Sequence, residues 1–262
     1  MAHAGGRSAA RTGRSLVTIF VALLIGCALP RPARALRPFD GTDATVAEPH
    51  LFEIEMSPLT YTREGGDRRL FAPQITLNWG TGVGFELVLE ARNVLVMSSD
   101  SAGVSPKLEE PGLNAKKVIR AGVLQHEPGP SIATEESFLL PFRGVNHLGA
   151  SASLVVSQPL PTARTMLHFN AVVARTQGLE WEEFGSVICV GPNDWPIRPA
   201  GEVSLERTGA ERVTRGYLGG IIWQTRQGLT MDLALKRLDA PAAHGLEIRS
   251  GFTWHMQFHP PD

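Results

Sequence analysis

A two-residue alternation of apolar and polar side chains, sustained over segments about ten residues long, limits this chain more than any other feature of its sequence. Successive side chains of a β-strand point to opposite faces, so such a segment carries one greasy face and one polar face. Phe71, Pro73, Ile75, Leu77 and Trp79 alternate with Ala72, Gln74, Thr76 and Asn78. Phe85, Leu87, Leu89 and Ala91 then stand against Glu86, Val88, Glu90 and Arg92. The pattern returns over 165–173 and 229–236 and is clearest near the end of the chain. There Leu246, Ile248, Phe252, Trp254, Met256 and Phe258 share one parity, and Glu247, Arg249, Thr253, His255 and Gln257 the other.

A water-soluble sandwich alternates as well, and three features separate a membrane barrel from it. Segments of about ten residues suit a tilted bilayer crossing, whereas soluble strands mostly run to about 5–6 residues. Short connections at 80–84 and 225–228 and longer ones at 93–113 and 237–245 fit tight turns at one end and larger loops at the other. Phe258 nearly ends the chain, as in the terminal signal read by outer-membrane assembly machinery, although His259-Pro260-Pro261-Asp262 follow it. Segments near 51–61, 70–79, 84–93, 114–124, 131–141, 148–158, 163–174, 180–190, 196–207, 213–224, 229–237 and 246–258 predict about twelve strands. The fold class is therefore all-β, an antiparallel up-and-down transmembrane barrel over 51–258 followed by a tail at 259–262. An even strand number leaves both termini in the periplasm. Closure is required because hydrocarbon offers no partner for the backbone groups of an open edge.

Ahead of the barrel lies an export signal. Arg7, Arg11 and Arg14 precede an almost wholly apolar run over 16–29, and Ala33-Arg34-Ala35 supplies a small-x-small cleavage pattern. Cleavage between Ala35 and Leu36 makes 1–35 a signal peptide and 36–50 an N-terminal periplasmic segment. Leu24-Ile25-Gly26-Cys27 also fits a lipobox, so lipidation at Cys27 is the competing reading. If Cys27 is removed, Cys189 stands alone and no intrachain disulfide can form in the oxidising envelope. All five basic residues before Leu36 are arginines, which leaves 20 basic against 26 acidic side chains in the mature chain. That mildly acidic balance argues against a nucleic-acid partner.

The inward parity collects Glu86, Glu90, Arg92, Lys116, Arg120, Glu202, Glu206, Asp232, Lys236, Glu247 and Arg249. In a barrel these become lumen-lining candidates, either filtering solutes or pairing to hold a narrow pore shut. Glu53 and Glu55 share a strand face about 7 Å apart, a spacing common by chance and better read as a solvated face than as a glycosidase pair. His255 and His259 have the spacing of helical metal ligands but stand on a strand and its Pro-Pro tail. No H-E-x-x-H, C-x-x-C or G-x-S-x-G occurs, and no serine is singled out by its surroundings. Gly80-x-Gly82-x-Gly84 lacks a following helix and reads as a hairpin turn. The expectation is a non-enzyme with no catalytic residues, cofactor or metal. Trp79, Trp181, Trp195, Trp223 and Trp254 fall near predicted strand ends or outward positions, where an interfacial girdle belongs.

Several stretches carry a family likeness: Arg37-Pro38-Phe39-Asp40-Gly41-Thr42-Asp43, Gly129-Pro130-Ser131-Ile132-Ala133-Thr134-Glu135, His168-Phe169-Asn170, Gly191-Pro192 with Trp195-Pro196-Ile197-Arg198-Pro199, and Glu247-Ile248-Arg249-Ser250-Gly251-Phe252-Thr253-Trp254. Over most of the mature chain it resembles the outer-membrane β-barrel family named after a phenol-degradation meta-cleavage pathway product, the MetA-type transporters. The resemblance implies a place in the bacterial outer membrane and passage of small, aromatic or hydrophobic molecules. It maps no substrate site onto these positions. The partners implied are outer-membrane lipid, the barrel-assembly machinery and an unidentified small solute. Two alternatives stay open: a closed-lumen structural or binding barrel, and a periplasmic β-rich lipoprotein anchored at Cys27.

Overall fold

The computed structural model describes residues 37–64, 67–96, 106–142, 144–160, 164–209, 212–225, 228–241 and 244–257 of the 262. The signal peptide with its Ala35/Leu36 cleavage position, Cys27, Phe258 and the tail at 259–262 lie outside the described residues.

Twelve strands fill most of these residues: β1 (Leu51–Glu64), β2 (Asp67–Gly80), β3 (Phe85–Val96), β4 (Pro106–Arg120), β5 (Ser131–Leu139), β6 (Gly149–Leu160), β7 (Thr165–Arg175), β8 (Trp181–Val190), β9 (Ile197–Thr208), β10 (Arg212–Gln224), β11 (Leu229–Asp239) and β12 (His244–Gln257). Each pairs antiparallel with its sequence neighbours, and β12 pairs antiparallel with β1, closing the cylinder. At the seam Phe52 stands opposite Met256 and Ile54 opposite Trp254, so the closing register preserves the inside-outside alternation of both strands. Strands of 9 to 15 residues match the about 9–11 that a tilted strand needs to cross hydrocarbon.

The outer face is apolar around the ring. Leu89, Leu154, Val187, Leu205, Ile221, Leu233 and Ile248 are all exposed there, while their neighbours in sequence turn inward. Aromatic side chains gather at the end that bears the termini. Trp79 nearly closes β2, Trp195 sits in the β8–β9 connection and Trp223 nearly closes β10, all exposed. Trp181 opens β8 at the opposite end, with the Arg175 guanidinium 5.6 Å from its ring centroid.

Two expectations need correction. Phe71 was predicted on the outer parity with Ile75, Leu77 and Trp79. A register shift between Phe71 and Gln74, around Pro73, turns it inward, because one extra residue exchanges the faces of everything on its far side. Nor do short and long connections sort by end. β11 and β12 extend through most of the predicted 237–245 loop and leave only 240–243 between them. The longer connection at 121–130 lies at the terminal end, where a short 3-10 turn (Val123–Gln125) folds inward.

Candidate functional site

The inward face is not uniform, and what fills part of it is the stretch of chain just ahead of β1. Residues 37–48, predicted as a segment ahead of the barrel, run inside it. Phe39 packs against a buried cluster of Ile188, Val190, Ala200 and Ile222, contributed by β8, β9 and β10. Ala44 is fully buried against Ala133, Val155, Met166 and Leu124, the last from the 3-10 turn. Backbone groups of the segment have no ladder to join, and the wall supplies their partners. The Asp40 and Gly41 amides donate to the Glu202 carboxylate at 2.8 and 3.0 Å. Thr42 N–H donates to Asn170 Oδ1 at 2.9 Å, and Asn170 Nδ2 returns a bond to the Thr42 carbonyl at 3.0 Å. Gln125 Nε2 donates to the Ala44 carbonyl at 2.8 Å, and Glu86 accepts from the Ala47 amide. Where the segment leaves the interior it crosses Gly80. A Cβ there would lie 2.0 Å from the Glu48 carbonyl oxygen, so the crossing requires glycine.

Charge completes the fit. Asp40 pairs with both Lys236 and Arg249, and Arg249 also engages Glu247 and donates to the Pro38 carbonyl at 2.7 Å. Lys116 lies 3.8 Å from Asp43 and donates to Thr42 Oγ1 at 2.8 Å. Arg37 lies 3.5 Å from Asp232. Burial pushes the Asp40 carboxyl up, but Arg249 and Lys236 outweigh it and hold the group below the ordinary 3.8. Asp43 is likewise buried, and Lys116 and His168 hold it below 3.8.

Ser157 and His168 form a pair that a motif search cannot see, with Ser157 Oγ 2.8 Å from His168 Nδ1. The arrangement is not that of a nucleophile. Ser157 is fully buried, and its oxygen already accepts the Ala44 amide at 2.9 Å. The pair clasps the inserted segment.

β12 and β1–β4 border a cavity of about 1280 Å³, which continues beyond the packed clusters to the far-end halves of β5–β9, at Glu135, Ser151, Val172, Phe184 and Glu206. Its lining runs from Leu51 and Gln257 at the terminal end to Glu64 and Arg69 at the other, with the inserted segment as one wall. Of the sequence-derived candidates, Glu86, Glu90, Arg92, Lys116, Glu206, Lys236, Glu247 and Arg249 border this cavity. Asn114 Nδ2 donates to Glu90 at 3.3 Å, and Arg92 lies 4.9 Å from the Phe71 ring centroid. Glu202 and Asp232 also point inward but are buried against the inserted segment. Arg120 is the exception. A register shift between Val118 and Arg120 puts it opposite Ile132 on the outer parity, where it is exposed and donates to the Pro130 carbonyl at 3.0 Å.

The remaining sequence features resolve simply. Glu53 faces His255, with Nδ1 at 3.0 Å, and Glu55 accepts from Asn78 Nδ2 at 2.8 Å, so the two carboxylates have separate partners. His259 lies outside the described residues. Gly82 and Gly84 adopt positive φ in the β2–β3 hairpin. Asp40 and Asp43 carried no lumen expectation, because they precede the first alternating strand. The available signal was two aspartates and a phenylalanine within the first stretch of family likeness.

No protein-family model and no curated protein matches the sequence. Solved structures do match the fold. The crystal structure of an outer membrane channel from Pseudomonas putida F1 is similar over 87% of this chain and 100% of its own, at 8% identity and a TM-score of 0.61. The KdgM porin is similar over 79% of this chain and 99% of its own, at 9% identity and a TM-score of 0.50. The closed antiparallel barrel is thus a fold that this chain shares with these two proteins.

Proposed function

We propose that this chain is a non-enzymatic channel of the bacterial outer membrane, through which small solutes pass along the cavity beside the inserted segment. One observation carries the reading: a closed barrel with an apolar exterior holds a polar cavity bordered by residues from both of its ends. An apolar belt of exposed leucines and valines, with tryptophans toward its margins, suits a hydrocarbon surround with wet interfaces. Glu86, Glu90, Arg92, Lys116, Glu206, Lys236, Glu247 and Arg249 are the wall groups that meet a passing solute. Glu202 and Asp232 anchor the segment instead.

Kinship with the MetA-type transporters belongs to the same reading, as do export through the 1–35 leader and insertion by the barrel-assembly machinery. Aromatic or hydrophobic solutes are the class that the kinship brings. A second reading, a closed structural barrel, is favoured by the segment that fills the terminal-end half of the β5–β10 side. Planar-bilayer recording of the refolded protein separates the two. Discrete conductance steps are expected from the channel, and a silent bilayer with correctly folded, heat-modifiable protein would reject it.

A further inference from the structure

The cavity wall carries far more negative than positive charge, and the inserted segment is part of the reason. Among the described residues bordering it are twelve carboxylates against six lysines and arginines, a formal excess of six negative charges. At least four of the six cations already have acid partners: Arg37 with Asp232, Lys116 with Asp43, Lys236 with Asp40, and Arg249 with Asp40 and Glu247. Asp40 and Asp43 belong to the segment. With the segment in place, the charges of Lys116, Lys236 and Arg249 are therefore offset by acids beside them. A low-dielectric wall around a charged passage concentrates ions of the opposite sign.

A second observation, independent of the charge count, points the same way. Asn114 borders the cavity, is 5% exposed, and its Oδ1 has no hydrogen-bond donor. Its amide nitrogen is turned to Glu90, so the oxygen is an acceptor left open. His255 Nε2 is also buried without a partner. The other ring nitrogen, Nδ1, lies 3.0 Å from the Glu53 carboxylate, and with the ring proton on that side Nε2 is another acceptor. Buried acceptors without donors cost free energy, and a solute that brings N–H groups relieves them.

Resting on the channel reading above, we infer that the passage selects cations, and among them small organic ammonium ions that can donate to Asn114 and His255. The decisive measurement is the reversal potential of the refolded full-length protein under a tenfold KCl gradient. K⁺ is expected to permeate severalfold more readily than Cl⁻, and a ratio at or below one overturns the inference while leaving a channel. Absence of any conductance removes the channel reading and this inference together. Replacing the wall acids Glu64, Glu135 and Glu206 by Gln is expected to move the ratio toward one, and an unchanged ratio would overturn the assignment to these charges. Ethylammonium chloride then tests the acceptors. Asn114→Leu should lower ethylammonium permeability relative to K⁺ while the K⁺/Cl⁻ ratio holds, and equal permeability in both proteins removes the ammonium preference.

Discussion

The terminal-end half of the β5–β10 side and the β12–β4 side belong to one continuous ring of strands, yet one is filled and the other is hollow. The difference lies in the inward residues. On the filled side they include Ala133, Val155, Met166, Ile188, Val190, Ala200 and Ile222, which pack against Phe39 and Ala44, beside Ser157, Asn170 and Glu202, which bond the segment's backbone. On the hollow side they include Glu53, Glu55, Thr76, Asn78, Glu86 and Glu90, which need water or ions as neighbours. An apolar patch on the polar face of a barrel therefore marks where something must pack, and here the chain supplies it. The contrast teaches that inner-face chemistry, more than strand number, sets how much of a twelve-stranded lumen stays open.

The comparison can be broken most directly by removing the filling. Deleting residues 37–48 should raise single-channel conductance severalfold in planar-bilayer recordings, and an unchanged conductance would mean the segment obstructs nothing. Next in size are matched truncations on the two sides. Ile222→Ala, at a fully buried position, should cost about 2–4 kcal/mol in equilibrium urea unfolding from lipid vesicles. Val88→Ala, which faces the cavity, should cost less than about 1.5 kcal/mol, since water can occupy what it vacates. Equal losses would erase the distinction between packed and hollow. The outer face sharpens it from the other direction, because it is apolar beside both halves. Leu233→Arg near the middle of β11 should cost about 2–3 kcal/mol in the same vesicles and little in a soluble setting.

The smallest effect is in pH. Asp40 and Asp43 titrate below their ordinary 3.8 when the segment is docked, so docking gains from their ionisation above that pH and loses the gain as pH falls through the depressed values. Conductance should stay flat from pH 7 to pH 4 as far as these two groups govern it, and rise only below 3.8. A rise centred above pH 5 would assign the docking to other groups.

Much of the fold was legible because a barrel wall repeats a simple constraint at every second residue. All twelve strands follow from it, including β12, whose parity holds from Leu246 to Met256. The lapses have local causes. Extra residues near Pro73 and Ile119 invert parity for Phe71 and Arg120, and alternation alone cannot locate a bulge. The occupied interior left a subtler trace. Over 187–190 in β8 the sequence runs Val, Ile, Cys, Val, and over 221–222 in β10 it reads Ile, Ile, so the alternation vanishes where both faces are greasy. Those are the strands that hold Phe39. The stretches of family likeness fall largely on the same device, since Asp40, Ala133, His168, Asn170 and Arg249 all belong to the segment or its receptors.

The segment's contacts also bear on how the cylinder could close during assembly. Residue 51 begins the first strand, and eleven residues before it Asp40 grips Lys236 and Arg249 on the last two strands. The chain thus carries a tether that draws its final strands toward its first. A ring sealed without that tether inside would have to be threaded afterwards through a mouth partly covered by the 121–130 turn, so internal docking before the β1–β12 seam zips is the shorter route.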